Sequence, residues 1–324
     1  MTEQQVIEWL SQRDQFLILT HIRPDGDTLG SAAALCLALR KQGKTAYLLS
    51  NPGVTAQYRD YLTFHWAPED YQPHYVVAVD IATEGLFPEG EHQHYLGKTD
   101  LCIDHHPSNT HYAPALCLDA SAAACGEIVY QICRGLGPLD RDIAQALYLA
   151  ISTDCGCFAY SNTTPRTHRI AAELMEYGDF YPVNKRFFQT KSRKELQLQA
   201  MLMASESFYE EGQICIGTIA AADRDRIGAQ DSDCSELASF AASIEGVRCA
   251  ATLRELEPGL CKLSIRSDAH YVDANQVCQR MGGGGHPAAS GATLSGVTLE
   301  EARKVVYDSI QAVLRGHNPQ DPQP

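Results

Sequence analysis

Histidine and aspartate residues follow the ends of several apolar segments in the first half of the chain. One set follows the segment at residues 15–20, a second follows residues 75–79, a third follows residues 101–103, and a fourth ends the helical stretch near residue 151. The carboxyl ends of parallel strands meet at one edge of a sheet, where ligands bind. We therefore expect these side chains to converge; they are His21, Asp25, Asp27, Asp80, Asp104, His105, His106 and Asp154.

Several carboxylates in one crevice repel each other unless cations neutralise them. Aspartate and histidine together suit hard or borderline divalent ions, and the absence of cysteine among them favours manganese or magnesium over structural zinc. Two ions bridged by a carboxylate can activate a water molecule and hold a phosphoryl group. A single Asp at a strand end usually only caps a turn, so the prediction of a two-metal site depends on the four segments taken together.

A glycine run, Gly282 to Gly285, forms a second candidate site with His286. Such a run is often only a flexible turn, but it also lets backbone N–H groups approach and surround an anion. Arg266 and Ser267 end a neighbouring predicted strand, and the planar guanidinium of arginine suits phosphate.

The elements that must position these residues change character along the chain. The first half alternates predicted strands (15–20, 46–49, 75–79, 101–103) with predicted helices (28–41, 121–135, 141–151, 165–177). This alternation predicts an α/β domain, residues 1–182, with a parallel sheet and helices on both faces. Residues 183–209 show no strand pattern and are predicted to be a helical connector.

The remainder is predicted to be a smaller α+β domain, residues 210–316, followed by a disordered tail, residues 317–324. Strands are expected at 213–219, 247–255 and 260–267, the last two forming an antiparallel hairpin, and helices at 233–243, 273–281 and 298–314.

Composition limits the function classes. The 324 residues carry a net charge of −14, which argues against binding long duplex nucleic acid through a broad basic surface. No apolar run is long enough to span a membrane and no signal peptide is evident, so a cytoplasmic protein is expected. The twelve cysteines are scattered without a C-x-x-C pair, which is typical of reduced core residues; Cys155 and Cys157 are the pair expected to be exposed.

Four segments of the chain resemble the motifs of the DHH phosphoesterases: HIRPDGDTLGS, the Asp of VAVDIA, CIDHHPSN and STDCGCFAYSNTTP. The later segments LSIRS and QRMGGGGHPAASGATL resemble the accompanying DHHA1 domain. The resemblance implies that His21 and Asp25 bind one metal, that Asp27, His105 and Asp154 bind the other, and that Asp80 bridges both.

The resemblance also implies that His106 acts on the scissile phosphate and that Asp104 orients the histidines. Reasoning from the residues alone does not separate His105 from His106. Nucleotide binding would fall to the C-terminal residues Arg266, Ser267, Gly283, Gly284, Gly285 and His286.

The short two-domain form is most similar to NrnA-type bifunctional oligoribonucleases and pAp phosphatases. This implies a manganese-dependent enzyme, with magnesium as the other candidate, that cleaves short RNA (nanoRNA) to mononucleotides and dephosphorylates 3′-phosphoadenosine 5′-phosphate (pAp). A soluble cyclic-di-AMP or pApA phosphodiesterase is the enzyme alternative, and an inactive nucleotide-binding regulator is the alternative of another class.

In the fourth motif Ala159 stands where many relatives carry a basic residue, and Cys155 replaces a common Thr, which leaves the substrate preference open. The oligomeric state, a homodimer included, is also open.

Overall fold

The protein is described by a computed structural model that covers residues 1–234 and 236–316. The chain divides into one unit that ends at Thr190 and another that begins at Lys191. The predicted boundaries at residues 182 and 209 flank this division and stay predictions, and the predicted tail at 317–324 lies outside the described residues.

The first unit is built on a parallel five-stranded sheet, in the order β2-β1-β3-β4-β5. Its strands are β1 (Phe16–Leu19), β2 (Ala46–Leu48), β3 (Tyr75–Val79), β4 (Leu101–Asp104) and β5 (Ala115–Leu118). Its helices are α1 (Glu3–Ser11), α2 (Gly26–Lys41), α3 (Ala56–Arg59), α4 (Cys125–Leu136), α5 (Arg141–Asp154), α6 (Pro165–Met175) and α7 (Tyr181–Asn184). The predicted parallel α/β architecture is confirmed.

Alternate residues of the strands belong to two different cores. Phe16 and Ile18 of β1 join the core under the α-helices, whereas Leu17 and Leu19 join the core on the opposite face. Phe87, next to the 3-10 helices Glu84–Leu86 and Gly90–Tyr95, packs on that second face. With both faces covered, the strands become continuous apolar runs, which is why they were recognisable in the sequence.

The second unit contains a mixed sheet in the order β10-β11-β9-β8-β7-β6. Its strands are β6 (Ser207–Tyr209), β7 (Ile214–Ile219), β8 (Cys249–Glu257), β9 (Leu260–Ser267), β10 (Gly284–His286) and β11 (Ala289–Ser295). Its helices are α8 (Arg193–Ser205), α9 (Ala221–Arg226), α10 (Leu237–Ala242), α11 (Ala274–Gln279) and α12 (Leu299–Gly316). The predicted β8–β9 hairpin is confirmed, with Gly259 at φ +83° in its turn.

Three local predictions were wrong. The segment expected to lack strands contains β6, which pairs antiparallel with β7. The helix expected at 233–243 is a 3-10 turn, Asp231–Cys234, followed by α10. Cys155 is fully buried, so only Cys157 of the expected exposed pair is half-buried; the other cysteines are buried and none forms a disulfide.

Within residues 1–234 and 236–316, no helix has the length and apolar character needed to cross a membrane.

Candidate metal centre and catalytic site

One group of candidate ligands lies in the loop after β1. Asp25 precedes α2, and its Oδ1 accepts hydrogen bonds from the backbone N–H groups of Asp27 and Thr28. His21 Nε2 lies 3.6 Å from Asp25 Oδ1 and 3.8 Å from Asp80 Oδ2. These three side chains could share one ion.

A second group surrounds His105. Its Nε2 lies 3.8 Å from Asp27 Oδ2, 3.8 Å from Asp154 Oδ2 and 3.5 Å from Asp80 Oδ1. Asp27, His105 and Asp154 could hold a second ion. Asp27 sits in the first turn of α2 and Asp154 ends α5, so the packing of these two helices sets the distance between two of the donors.

Asp80 lies between the two groups. It follows β3 with φ at +60°, a conformation that non-glycine residues seldom adopt, and it is 2 % exposed. Thr28 Oγ1 donates to the carbonyl oxygen of Val79 at 2.8 Å, which ties α2 to the residue before Asp80. The Oδ1 atom of Asp80 is buried and has no hydrogen-bond donor. A buried carboxylate oxygen without a donor is costly, and a cation would satisfy it.

The electrostatics of the cluster fit divalent cations. Burial, followed by the charge of the neighbouring carboxylates, raises the pKa of Asp80 and of Asp27 well above the usual value. Burial also raises the pKa of Asp154. Asp25 is partly exposed, and the desolvation that would raise its pKa is outweighed by the hydrogen bond and charge of His21 and by the backbone N–H groups of Thr28 and Asp27, so its pKa is lowered. The donors are carboxylate oxygens and imidazole nitrogens that lie close together, and the carboxylates outnumber the cationic groups near them. Such a donor set fits divalent cations.

The two adjacent histidines have different partners, which the sequence could not show. His105 Nδ1 lies 3.2 Å from the carbonyl oxygen of Ala122, which leaves Nε2 toward the carboxylates. His106 Nδ1 lies 2.8 Å from Asp104 Oδ1. The hydrogen bond with Asp104 raises the pKa of His106 despite its burial. His106 Nδ1 also lies 3.5 Å from Asp80 Oδ1, so His106 belongs to a third group that could hold an ion, with Asp80 and His105. Of the two histidines, however, only His106 has its Nδ1 in a hydrogen bond with a carboxylate, that of Asp104.

Asp104 is fully buried and forms a hydrogen bond with the ring of His106. Its Oδ1 also accepts from the backbone N–H groups of His105 and His106, and its Oδ2 accepts from Asn109 Nδ2 at 2.7 Å. Burial alone would raise the pKa of Asp104, but these hydrogen bonds lower it. The orienting role expected of Asp104 stays a prediction: Asp104 contacts the ring of His106, and the carbonyl oxygen of Ala122 is the partner of His105 Nδ1.

Sequence reasoning missed two asparagines that hold this site. Asn109 supports Asp104, as above. Asn51 donates through Nδ2 to the carbonyl oxygen of His21 and to Thr20 Oγ1, both at 2.9 Å. Asn109 lies inside the CIDHHPSN segment, whereas nothing in the sequence marks Asn51.

Small residues bring the ligand-bearing helices together. A Cβ on Gly30 of α2 would lie 2.4 Å from the carbonyl oxygen of Ala146 of α5, and one on Gly126 of α4 would lie 2.8 Å from Ala150 Cβ. The N-terminal residues of α4 also hold Asp27 directly. Cys125 N–H donates to Asp27 Oδ2 at 2.6 Å, and Gly126 N–H donates to Asp27 Oδ1 at 2.9 Å.

In the second unit Arg266 and Ser267 line a cavity of about 430 Å³ together with Arg248 and Asp268. Arg266 makes one hydrogen bond here, from Nη1 to the carbonyl oxygen of Ile265 at 3.2 Å. Arg248 is bound to Asp268, with Nη2 to Oδ2 at 2.7 Å. Arg266 is thus the cation of this cavity without a carboxylate partner in the described residues.

The glycine run does not form the expected ring of inward N–H groups. Gly282 and Gly283 donate to the carbonyl oxygens of Gln279 and Cys278, and Gly285 donates to Asn275 Oδ1 at 3.0 Å. Gly284 to His286 form β10, and a Cβ on Gly283 would lie 2.2 Å from the carbonyl oxygen of Gly291. The glycines permit this close hairpin, and the His286 side chain that follows them is exposed.

The sequence matches two family models: the DHH family, N-terminal domain, over residues 15–151, and the DHHA1 domain over residues 212–312. A bifunctional oligoribonuclease and PAP phosphatase NrnA from Thermus thermophilus is 30% identical over 302 residues, covering 92% of this chain and 89% of the relative. The chain belongs to the DHH family. DHH phosphoesterases are metal-dependent enzymes, in keeping with the acidic and histidine groups of this DHH protein.

Other relatives of this DHH protein span it almost completely. The enzyme of the same name from Bacillus subtilis is 27% identical and covers 94% of this chain and 96% of the relative. The cyclic-di-AMP phosphodiesterase PdeA from Listeria monocytogenes is 22% identical over 95% of this chain, but only 49% of that protein is covered.

A solved structure has the same fold as this DHH protein. It is the crystal structure of an exopolyphosphatase-related protein from Bacteroides fragilis, with a TM-score of 0.86 and 20% identity, covering 97% of this chain and 96% of that one.

Proposed function

We propose that this DHH-family phosphoesterase uses two divalent ions to hydrolyse short RNA oligonucleotides to mononucleotides and to remove a phosphate from pAp. The observation that carries the proposal is Asp80. Its two oxygens face two separate groups of donors, one containing His21 and the other His105, and its Oδ1 has no protein donor.

In the proposed site, His21 and Asp25 hold one ion, Asp27, His105 and Asp154 hold the other, and Asp80 contributes to both. Bound divalent ions of this kind neutralise phosphate charge and make a water molecule nucleophilic at neutral pH. Manganese is the first ion to test, because the donors combine imidazole nitrogen with carboxylate oxygen.

His106 is proposed to act on the phosphate. Asp104 fixes its Nδ1, and with Nδ1 held the other ring nitrogen is the group available to the substrate. A protonated His106 would stabilise charge on the phosphate oxygens or donate a proton to the leaving oxygen. The raised pKa of His106 favours the protonated form that both roles require.

In the second unit, Arg266, Ser267 and His286 are proposed to bind the nucleotide. Arg266 is suited to phosphate because no carboxylate competes for its guanidinium within residues 1–234 and 236–316. The glycines Gly283, Gly284 and Gly285 would shape the hairpin that carries His286. A cytoplasmic location is also proposed, because the chain keeps twelve free cysteines, as proteins in reducing compartments do.

The test is a substrate panel with metal-depleted protein. The protein is stripped with a chelator, and manganese or magnesium is then titrated back in the presence of pAp, RNA of two to five nucleotides, pApA or cyclic-di-AMP. We expect metal-dependent release of phosphate from pAp and of mononucleotides from RNA, with two ions bound per chain by elemental analysis.

Turnover of cyclic-di-AMP or pApA alone would establish the alternative phosphodiesterase. Nucleotide binding without turnover at any metal concentration would indicate a regulator. The chelated protein without added metal is the control for a contaminating metal-independent nuclease.

A further inference from the structure

The turn that follows Asp154 has an unusual backbone. Gly156, Cys157 and Phe158 are consecutive residues with positive φ, at 53°, 54° and 67°. Cys157 and Phe158 are not glycine, and L-residues seldom adopt this conformation in succession. Hydrogen bonds fix the turn: Cys157 N–H donates to the carbonyl oxygen of Ser152 at 2.7 Å, and Tyr160 N–H donates to that of Cys155 at 3.1 Å. The backbone of Tyr160 is thereby held against the segment that carries Asp154.

The Tyr160 side chain leaves this turn as an exposed ring. It is 57% exposed, and it lies directly over Gly156, where a Cβ would be 2.4 Å from its ring carbons. Two residues later, Asn162 Nδ2 donates to the carbonyl oxygen of Asp154 at 3.1 Å and to that of Ala123 at 2.9 Å. The turn is therefore attached on both sides of Tyr160, and the ring has a defined place on the turn that directly follows Asp154, a proposed metal ligand.

The chemistry of this turn favours a nucleobase over a phosphate. Ala159 has no charge, so the turn offers no cation for a phosphate at that position. An exposed aromatic face fixed on a rigid turn is the kind of surface on which bases of single-stranded RNA stack, without preference for sequence. The hydroxyl group of Tyr160 is not needed for this contact, whereas the ring is.

We propose that Tyr160 stacks against the base of the second nucleotide of a short RNA and so adapts the site to oligonucleotides. The inference rests on the proposed function, in which residues of the second unit hold one nucleotide. pAp contains a single nucleoside, whereas a dinucleotide has a second base beside the scissile phosphate. The turn belongs to the unit that carries the proposed metal ligands, so the base nearest the scissile phosphate is the one that Tyr160 would meet.

The test compares Tyr160→Ala with Tyr160→Phe on a 5′-phosphorylated dinucleotide, on the same dinucleotide with an abasic second position, and on pAp. Loss of one base–aromatic stack should raise KM for the dinucleotide about 5- to 150-fold in Tyr160→Ala. The increase should be at least fivefold larger than the increase for pAp, and Tyr160→Phe should return KM to within about twofold of the wild-type value. The abasic dinucleotide should bind the wild type and Tyr160→Ala equally weakly.

Tyr181→Ala is the matched control, since Tyr181 is 55% exposed in the same unit. The stacking role would be overturned if Tyr160→Ala raised KM equally for pAp and for the dinucleotide. It would also be overturned if Tyr160→Phe raised KM for the dinucleotide as much as Tyr160→Ala does. If the wild type turns over neither RNA nor pAp, the proposed function fails first and the inference falls with it. A wild type that cleaves RNA, with Tyr160→Ala equally active on it, contradicts only the inference.

Discussion

At the scale of single residues, the buried carboxylates of the site differ in how many hydrogen bonds they accept from the protein. Asp27 accepts hydrogen bonds from Cys125, Gly126 and Ser31, so both of its oxygens have protein donors. Asp80 Oδ1 has none, although Asp80 is as deeply buried. An unpaired buried charge is unfavourable, so of these two carboxylates Asp80 is the one that most needs a bound cation. Substitution of Asp80 should therefore cause the larger loss of activity and of bound metal.

Asp80→Ala should abolish turnover on every substrate of the panel. The loss in kcat/KM should be on the order of 10³-fold or more, because metal-ion clamps supply several kcal/mol of transition-state stabilisation. The number of bound manganese ions should fall below two per chain by elemental analysis, while the circular dichroism spectrum stays that of the wild type. Asp70→Ala, at an exposed position of the same unit, is the control. Near-normal activity of Asp80→Ala at saturating manganese would contradict the two-metal assignment.

Asn109 should act through Asp104 and His106. Asn109→Ala removes the donor 2.7 Å from Asp104 Oδ2, so Asp104 should hold the His106 ring less firmly. Loss of such an outer hydrogen bond typically costs about 10- to 100-fold in activity, and here it should fall on kcat more than on KM. Asn109→Asp should lose more, because it places a second carboxylate beside Asp104.

Asn184→Ala is the control for the Asn109 variants, since it removes a side-chain hydrogen bond of similar length, 2.8 Å to Tyr148 Oη. If Asn109→Ala lowers stability as Asn184→Ala does but leaves kcat at the wild-type value, the positioning role of Asn109 is wrong.

At the scale of elements, close packing of α2 on α5 sets the separation of Asp27 and Asp154. Gly30→Ala would place a methyl group 2.4 Å from the carbonyl oxygen of Ala146, a backbone atom that cannot rotate away. We expect a loss of about 1–3 kcal/mol in the free energy of unfolding, as in other overpacked cores. Because the helices must separate, manganese affinity should also fall, which calorimetric titration would detect.

Gly85→Ala provides the control for this helix contact, because the nearest atom to its Cβ position is 3.9 Å away. Unchanged urea denaturation and unchanged manganese affinity in Gly30→Ala would show that α2 and α5 adapt without cost and would contradict the argument.

The sequence predicted the parallel sheet because its buried strands are continuous apolar runs, and the chemistry-bearing residues stood at their ends. It could not predict β6, whose three residues gain their strand conformation from pairing with β7 and not from their own pattern. It could not distinguish His105 from His106 either. That distinction depends on the carbonyl oxygen of Ala122, a backbone atom seventeen residues away that any residue type would supply. Side-chain motifs are visible in a sequence, whereas partners provided by the backbone are not.

At the scale of the whole molecule, the proposed chemistry is divided between two units with separate hydrophobic cores. The core under the α-helices of the first unit and the core that joins β7, β8 and β9 to α12 share no residues. The candidate metal ligands all belong to the first unit, whereas Arg266, Ser267 and His286, which are proposed to bind the nucleotide, belong to the second. Bond cleavage and nucleotide binding should therefore be separable by mutation.

Arg266→Ala should test this division of labour. Loss of one charge-assisted contact to phosphate costs about 1.5–3 kcal/mol, or about 10- to 100-fold in binding. KM for pAp and for short RNA should rise by that factor, while kcat changes much less. Bis-p-nitrophenyl phosphate has no nucleoside for the second unit to hold, so its hydrolysis should be far less affected. Steady-state kinetics on pAp and on this generic diester, with metal content measured in parallel, decide between the two roles. An equal loss of kcat on both substrates, at full metal content and with an intact fold, would place Arg266 in the chemical step and contradict the separation of binding from cleavage.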